Sequence, residues 1–245
     1  MYFSQGNLQY IGSAATPYWK FADNQWDYLG DGQGAGVETA DYDLFGWGTS
    51  GFNHGATCYQ PWSCENNSSK YYAYGGEYKN LFDESGKAEW GYNAISNGGG
   101  EEHKWRTLSR PEWEYILDTR ATSTNIRYAK AKVNDVNGVI LLPDDWSSDT
   151  YSLSNTNSSG ASYSSNTVSA TQWSTLEQAG AVFLPAAGKR IGADFHDVGS
   201  KGYYWSASHE DKYNAKCMYF DGSTLLSYDK YNRHNGQSVR LVRPV

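Results

Sequence analysis

Two stretches carry the 3.6-residue apolar period of a helix, and the other hydrophobic positions fall in short runs or alternations. In "WRTLSRPEWEYILDTR", Ser109 and Glu112 have capping-box spacing, and Pro111 is tolerated in a first turn. Trp113, Ile116 and Leu117 then follow at i, i+3 and i+4, which predicts a helix over 109–120. "SATQWSTLEQAG" repeats the logic over 169–179. Ser169 and Gln172 form the box, Trp173, Leu176 and Ala179 the apolar face, and Gly180 the C-terminal cap, with Glu177 and Gln178 toward water.

The remaining pattern predicts strands. "MYFSQGNLQY" reads as a first strand with Phe3, Leu8 and Tyr10 inward, and 18–30 as a second amphipathic stretch of strand or turn. A Gly-rich loop covers 30–40. "DLFGWGTSGFNHG" predicts tight packing around Phe45 and Trp47, with an aromatic sugar platform as the functional alternative. Residues 63–80 read as surface loop. "IRYAKAKVNDVNGVILLPDDW" predicts a hairpin of 128–133 and 139–142 turning at Asn137-Gly138. Residues 147–168, rich in Ser, Thr and Asn, read as a surface insertion. "AVFLPAAG", "GSKGYYWSAS" and "SVRLVRPV" are further strands. In the last, Val239, Leu241 and Val245 point one way, while Ser238, Arg240 and Arg243 meet polar groups or water. The expected layout is α+β in one domain over 1–245, with two helices, short antiparallel sheets, long loops and paired terminal strands.

Composition narrows the function. A net charge of -7 with no Lys/Arg cluster argues against nucleic acid and acidic membranes as partners. No apolar run reaches the length of a membrane span, and no signal peptide opens the chain, which reads as a domain of a longer protein. Cys58 and Cys64 share a loop and are either a small disulfide or two unrelated thiols, and Cys217 has no evident partner. No zinc spacing occurs, and the cluster Asn134, Asp135, Asn137, Gly138 lacks the later acidic ligand of a calcium loop. Five scattered histidines form no nucleophile–base constellation, and Glu112 and Glu114 read as a capping and a solvated carboxylate. No metal, cofactor or catalytic group is expected.

"WRTLSRPEWEYIL", "GVILLPDDW", "AGAVFLPAAG", "GYYWSAS" and the closing "SVRLV" together resemble the Bacteroidetes and Fibrobacter paralogous surface-domain family. That family is related to the formylglycine-generating-enzyme type of C-type lectin fold, which also carries the variable proteins of diversity-generating retroelements. The resemblance implies a C-type lectin fold whose C-terminal part, about 203–237, is a ligand-binding surface rewritten by adenine-directed mutagenesis. A stretch rich in Tyr, Asn, Asp, Ser and His suits that use, because Tyr gives contact area at small entropy loss and Ser and Asn adapt their hydrogen bonds. Tyr203, Trp205, Tyr219, Phe220, Val239 and Leu241 are expected as framework, with Arg233 and Gly236 fixing the turn before the last strand. The expected ligand contacts are His209, Glu210, Asp211, Lys212, Lys216, Cys217, Asp221, Ser223, Leu225, Tyr228, Asp229, Lys230, His234, Asn235 and Gln237.

The implied role is a receptor or adhesin module, extracellular, at a cell surface or on a virion. Its partner would be a protein or glycan on a cell or phage surface. The formylglycine-generating chemistry needs a C-terminal cysteine pair, and only Cys217 lies there. A calcium-independent carbohydrate-binding lectin is the alternative, since the calcium-and-sugar motifs of animal C-type lectins are absent and "QPWS" at 60–63 does not replace them. A structural surface or virion module is a third reading.

Overall fold

A computed structural model describes residues 1–52, 59–72, 79–83 and 86–245. Strands β1 (Tyr2–Phe3), β2 (Leu8–Ile11), β3 (Tyr18–Phe21), β4 (Asp41–Tyr42) and β5 (Arg106–Thr107) precede the helix α1 (Arg110–Glu114), which continues as a π-helical turn over Tyr115–Thr119. Next come β6 (Tyr128–Val133), β7 (Val136–Leu141), β8 (Thr167–Val168), α2 (Ala170–Gln178) and β9 (Val182–Pro185). The chain ends with β10 (Lys189–Ile191), β11 (Asp194–His196), β12 (Gly202–His209), β13 (Asn214–Phe220), β14 (Leu225–Asn232) and β15 (Leu241–Arg243). The protein is therefore α+β, built of small, mostly antiparallel sheets with two short helices.

Both helices start where their capping residues place them. The Glu112 carboxylate accepts from the Ser109 backbone N–H and hydroxyl, each at 2.8 Å. Ser169 N donates to Gln172 Oε1 at 2.8 Å, and Gln172 N returns to Ser169 Oγ at 3.2 Å. Gly180 stops α2 with φ +92°, the left-handed conformation a C-terminal cap needs.

The 128–141 hairpin turns elsewhere than expected. Asn134 and Asp135 take φ of 45° and 65°, the pair of positive values that a tight hairpin turn requires. Asn137 and Gly138 lie inside β7. Gly138 is glycine because its ladder neighbour β9 leaves no room beside it: a Cβ there would stand 2.4 Å from both Leu184 O and the Phe183 ring.

Three hydrophobic layers are separated by two sheets. In β12–β13–β14, Trp205 and Cys217 enter one core with Phe45, Trp47 and Trp90, while Tyr204, Met218 and Phe220 enter a second with Trp113 and Leu117. In β8–β6–β7–β9, Val139 and Leu141 face that second core, and Ile140 and Val133 face a third with Trp173 and Leu176. Adjacent strand residues alternate between faces, so each sheet is lined on both sides.

The terminal strands pair, Tyr2 with Arg243 and Phe3 with Val242, and β15 lies between β1 and β5. The opening segment is two strands, because Ser4 turns back to bond Gly6 O at 2.8 Å. Arg240 does not reach water: it is fully buried and bonds Asn7 Oδ1 at 3.2 Å and Gln25 Oε1 at 2.5 Å. Burial draws its pKa down to about 10. Val245, by contrast, is exposed. Within 63–80, expected as surface, Tyr71 and Tyr72 are buried, and 73–78 lie outside the described residues. The 147–168 insertion also packs inward at Ala161, Tyr163 and Val168.

Candidate ligand-binding surface

The polar stretch after Ser208 is two strands and two turns of one sheet. Asp211 closes the β12–β13 turn, its Oδ1 accepting from Tyr213 N at 2.8 Å and Asn214 N at 2.9 Å. Asp221 closes the β13–β14 turn, its Oδ1 accepting from Ser223 N and Thr224 N, each at 2.8 Å. Its Oδ2 accepts from the Tyr219 hydroxyl at 2.6 Å. For both carboxyls burial acts to raise the pKa, but these hydrogen bonds outweigh it and hold them below the usual carboxylate range. Both are turn builders. Asp221→Ala is expected to destabilise the fold by about 1–2 kcal/mol, as loss of a side-chain cap does. A denaturant midpoint equal to that of the parent would refute the assignment.

Lys216 pairs with Lys230 and Ala215 with Tyr231, so the 230 and 231 side chains leave opposite faces of the sheet. On the first face, Glu210 bridges both lysines, at 2.7 Å to Lys216 Nζ and 3.4 Å to Lys230 Nζ. The Lys216 hydrogen bond is the main cause holding Glu210 below its ordinary pKa. The Tyr228 ring lies beneath the Arg110 guanidinium at 4.0 Å and 5.6 Å from Lys216 Nζ. Tyr228 is 45% exposed, and Tyr213 at the adjoining turn is 51% exposed. Arg110 comes from α1, where it also pairs with Glu114 at 3.0 Å.

On the second face Tyr203, Tyr219 and Tyr231 cluster, with centroids 5.1 to 6.4 Å apart. Lys189 Nζ sits 4.8 Å from the Tyr203 ring and 4.9 Å from that of Tyr231. Tyr203 donates to Asp197 Oδ2 at 2.8 Å. Leu226, paired with Tyr219, is exposed beside them.

The expected contacts therefore divide. Glu210, Tyr228 and Lys230 converge on the first face, with Lys216 beneath them as a largely buried support. Lys212 and Ser223 are exposed on the two turns, and Asp229 is half-buried. His209 is half-buried, its ring Nδ1 and backbone N both 3.0 to 3.1 Å from Asn80 Oδ1. Cys217, Leu225, Asn235 and Gln237 are not surface residues: all four are buried. Cys217 alternates into the first core opposite Trp205, and burial pushes its thiol far up. Leu225 enters the second core. Gln237 is drawn in by a two-way backbone bridge to Phe45, at 2.9 and 3.0 Å. His234 is held at 2.8 Å from Ser68 Oγ, and burial lowers its pKa. Arg233 and Gly236 act as framework: Arg233 donates to Tyr72 O at 2.7 Å and to Asp211 O, and a Cβ at Gly236 would stand 2.8 Å from Leu44 O.

Residues 161–242 match the model of a family described as a domain of unknown function (DUF8237). No curated protein and no solved structure matches the chain. The matched segment takes in β12, β13 and β14 and their buried ties, and it leaves Arg110 outside.

Sequence reasoning missed Arg110, Lys189 and Tyr231. The signal for Tyr231 lay in the register after the bulge between Leu226 and Asp229 of β14, which no residue pattern marks. Cys58, half of the disulfide question, lies outside the described residues, while Cys64 Sγ accepts from Arg190 at 3.1 Å. Among the described residues, no group of three His, Cys, Asp or Glu could hold a metal ion. Among them also, no helix is long and apolar enough to cross a membrane.

Proposed function

We propose that this chain is a single C-type-lectin-fold recognition domain, a receptor or adhesin module that presents the Tyr228 face of its C-terminal sheet to a protein or glycan on another cell or phage. The observation that carries the reading is the assembly of Tyr228, Lys230, Glu210 and Arg110 into one exposed, charged and tyrosine-centred patch on a sheet packed on both faces. A tyrosine there offers broad contact area with few rotors to freeze, and charges around it steer encounter and register. The rigid support means that exposed side chains can change without refolding the domain. Retroelement diversification is the proposed source of such change, and an extracellular or virion location follows from the same reading.

Two tests bear on it. A display library randomised at 212, 213, 226, 228, 230 and 232 is expected to remain mostly folded, since exposed substitutions cost within about 0.5 kcal/mol. A matched library at 217, 225, 235 and 237 should lose most of its folded members. Equal folded fractions would remove the division between scaffold and surface. In the genome, a template repeat beside a reverse-transcriptase gene should differ from the 203–245 coding DNA at adenines. Those differences should fall at exposed positions and spare Trp205, Phe220 and Gln237. A repeat whose differences spread evenly over buried and exposed codons, or no repeat at all, would sink diversification.

A further inference from the structure

A cleft of about 410 Å3 opens among Tyr10 of β2, Trp19 of β3, and Phe52, Trp62 and Tyr92 from the loops. It shares no lining residue with the Tyr228 patch. Its rings are fixed by one another: Tyr10 meets Trp19 edge-on at 5.2 Å and Trp62 at 5.9 Å. Trp62 is half-buried, packed on the first core along one side and open on the other. Its indole N–H has no acceptor among the described residues.

Beside that donor, the lining also holds unspent acceptors. Asn93 gives both amide hydrogens away, to Ser50 O at 2.9 Å and Trp90 O at 3.2 Å, and separately its carbonyl oxygen accepts from no donor among the described residues. Glu38 is exposed at the cleft and makes no hydrogen bond or ion pair among the described residues. It is the one charged residue among the described lining residues. Apolar rings that fix orientation, with a few unspent polar atoms, are the composition of a small-molecule site, and the volume falls within the range of about 300–1,000 Å3 that such sites span.

We propose that this cleft binds a neutral carbohydrate without calcium. A pyranose has one apolar C–H face to lay on an aromatic ring and a rim of hydroxyls to donate to Asn93 Oδ1 and the Glu38 carboxylate. A proline-rich peptide also suits an aromatic cleft and has carbonyls to accept from Trp62, but its prolines have no N–H to give Asn93 Oδ1 or Glu38. An anionic sugar would place its charge beside Glu38, with no cation among the described lining residues to offset it.

The test is an array of immobilised neutral and sialylated oligosaccharides, probed with the intact chain in EDTA, followed by calorimetric titration of the strongest neutral oligosaccharide. Neutral glycans are expected to bind and sialylated ones not. Trp62→Ala should weaken binding by about tenfold or more, and Glu38→Gln should weaken it several-fold. Glu38 is exposed, so its variant keeps the test decisive if Trp62→Ala fails to fold by circular dichroism. Asp149→Asn, exposed and outside both the cleft lining and the sheet surface, should leave the affinity unchanged. The proposal is overturned if no neutral glycan binds, or if binding requires calcium. It also falls if the folded Glu38 and Trp62 variants bind as the parent does, or if a proline-rich peptide is the cleft's ligand instead.

Discussion

Trp205→Ala is expected to cost about 3–5 kcal/mol, enough to leave most of a domain of ordinary stability unfolded. Trp205 is fully buried in the first core and stands opposite Cys217 across the strand pair. Its indole N–H donates to Phe45 O at 2.7 Å, and its backbone N–H to Ser238 O at 3.0 Å. The alanine variant opens a cavity and removes one of the two donors to the Phe45 carbonyl, which keeps only the Gln237 N–H. Trp205→Phe keeps most of the volume and loses the hydrogen bond, so it should fall between parent and alanine. Chemical denaturation measures this directly, with Tyr228→Ala as the exposed control shifting stability by about 0.5 kcal/mol or less. Equal losses for Trp205→Ala and Tyr228→Ala would contradict the burial on which the scaffold assignment rests.

Stability is expected to fall as the pH rises through the mildly acidic range, the reverse of ordinary acid denaturation. Two fully buried carboxyls, Asp43 and Glu89, are pushed up to about 7 by desolvation. Asp43 accepts from Leu29 N at 2.6 Å, but its Oδ1 is buried with no partner. Glu89 accepts from Thr107 N at 2.8 Å and Thr107 Oγ1 at 2.6 Å, with its Oε2 buried and unpaired. Between the ordinary values, 3.8 for Asp and 4.5 for Glu, and about 7, the unfolded chain has released these protons and the folded one has kept them. The folded state then binds more protons, so its stability declines with rising pH and levels off above about 7. Each group contributes on the order of 3 kcal/mol to that decline. Below about 4 the opposite sign takes over, because Glu112 and Asp197 have lowered values and lose their partners on protonation. Thermal melts from pH 4.5 to 8 should show Tm falling in the parent and a shallower fall in both Asp43→Asn and Glu89→Gln. A parent Tm that rises over this range would refute the assignment.

Helices were legible in this chain because a capping box is a local event: Ser169 and Gln172 decide the start of α2 whatever lies around them. The paired termini were legible too, from apolar runs at both ends. Burial of polar side chains was not. Asn235, Gln237 and Arg240 look like surface residues, yet backbone bridges at Gly236, Gln237 and Ser238 pull the segment between Phe45, Arg190 and Tyr204. Cys217 and Lys216 are neighbours in a strand, and only the register tells which faces the core and which the Glu210 pair. Gly138 misled for a related reason, since a glycine demanded by a close neighbouring strand and one demanded by a turn are the same letter. The exposed patch itself depends on Arg110, which is far from Tyr228 in sequence and meets it through the docking of α1.

The strand order β1–β15–β5 has a consequence for how the protein is made. Its middle strand is the last of the fifteen described strands to be synthesised, and Arg240 just before it supplies the guanidinium that Asn7 and Gln25 hold. Until residues 240–243 have left the ribosome, the edge strands have no centre to join and the amides of Asn7 and Gln25 lack their cation. The first core also waits for Val239 and Leu241. The nascent chain therefore cannot close domain-first from its N-terminus, as sequentially built folds do. A stop a few codons upstream of Leu241 would leave this domain without its closing strand and with its cores open, a substrate for chaperones and proteases.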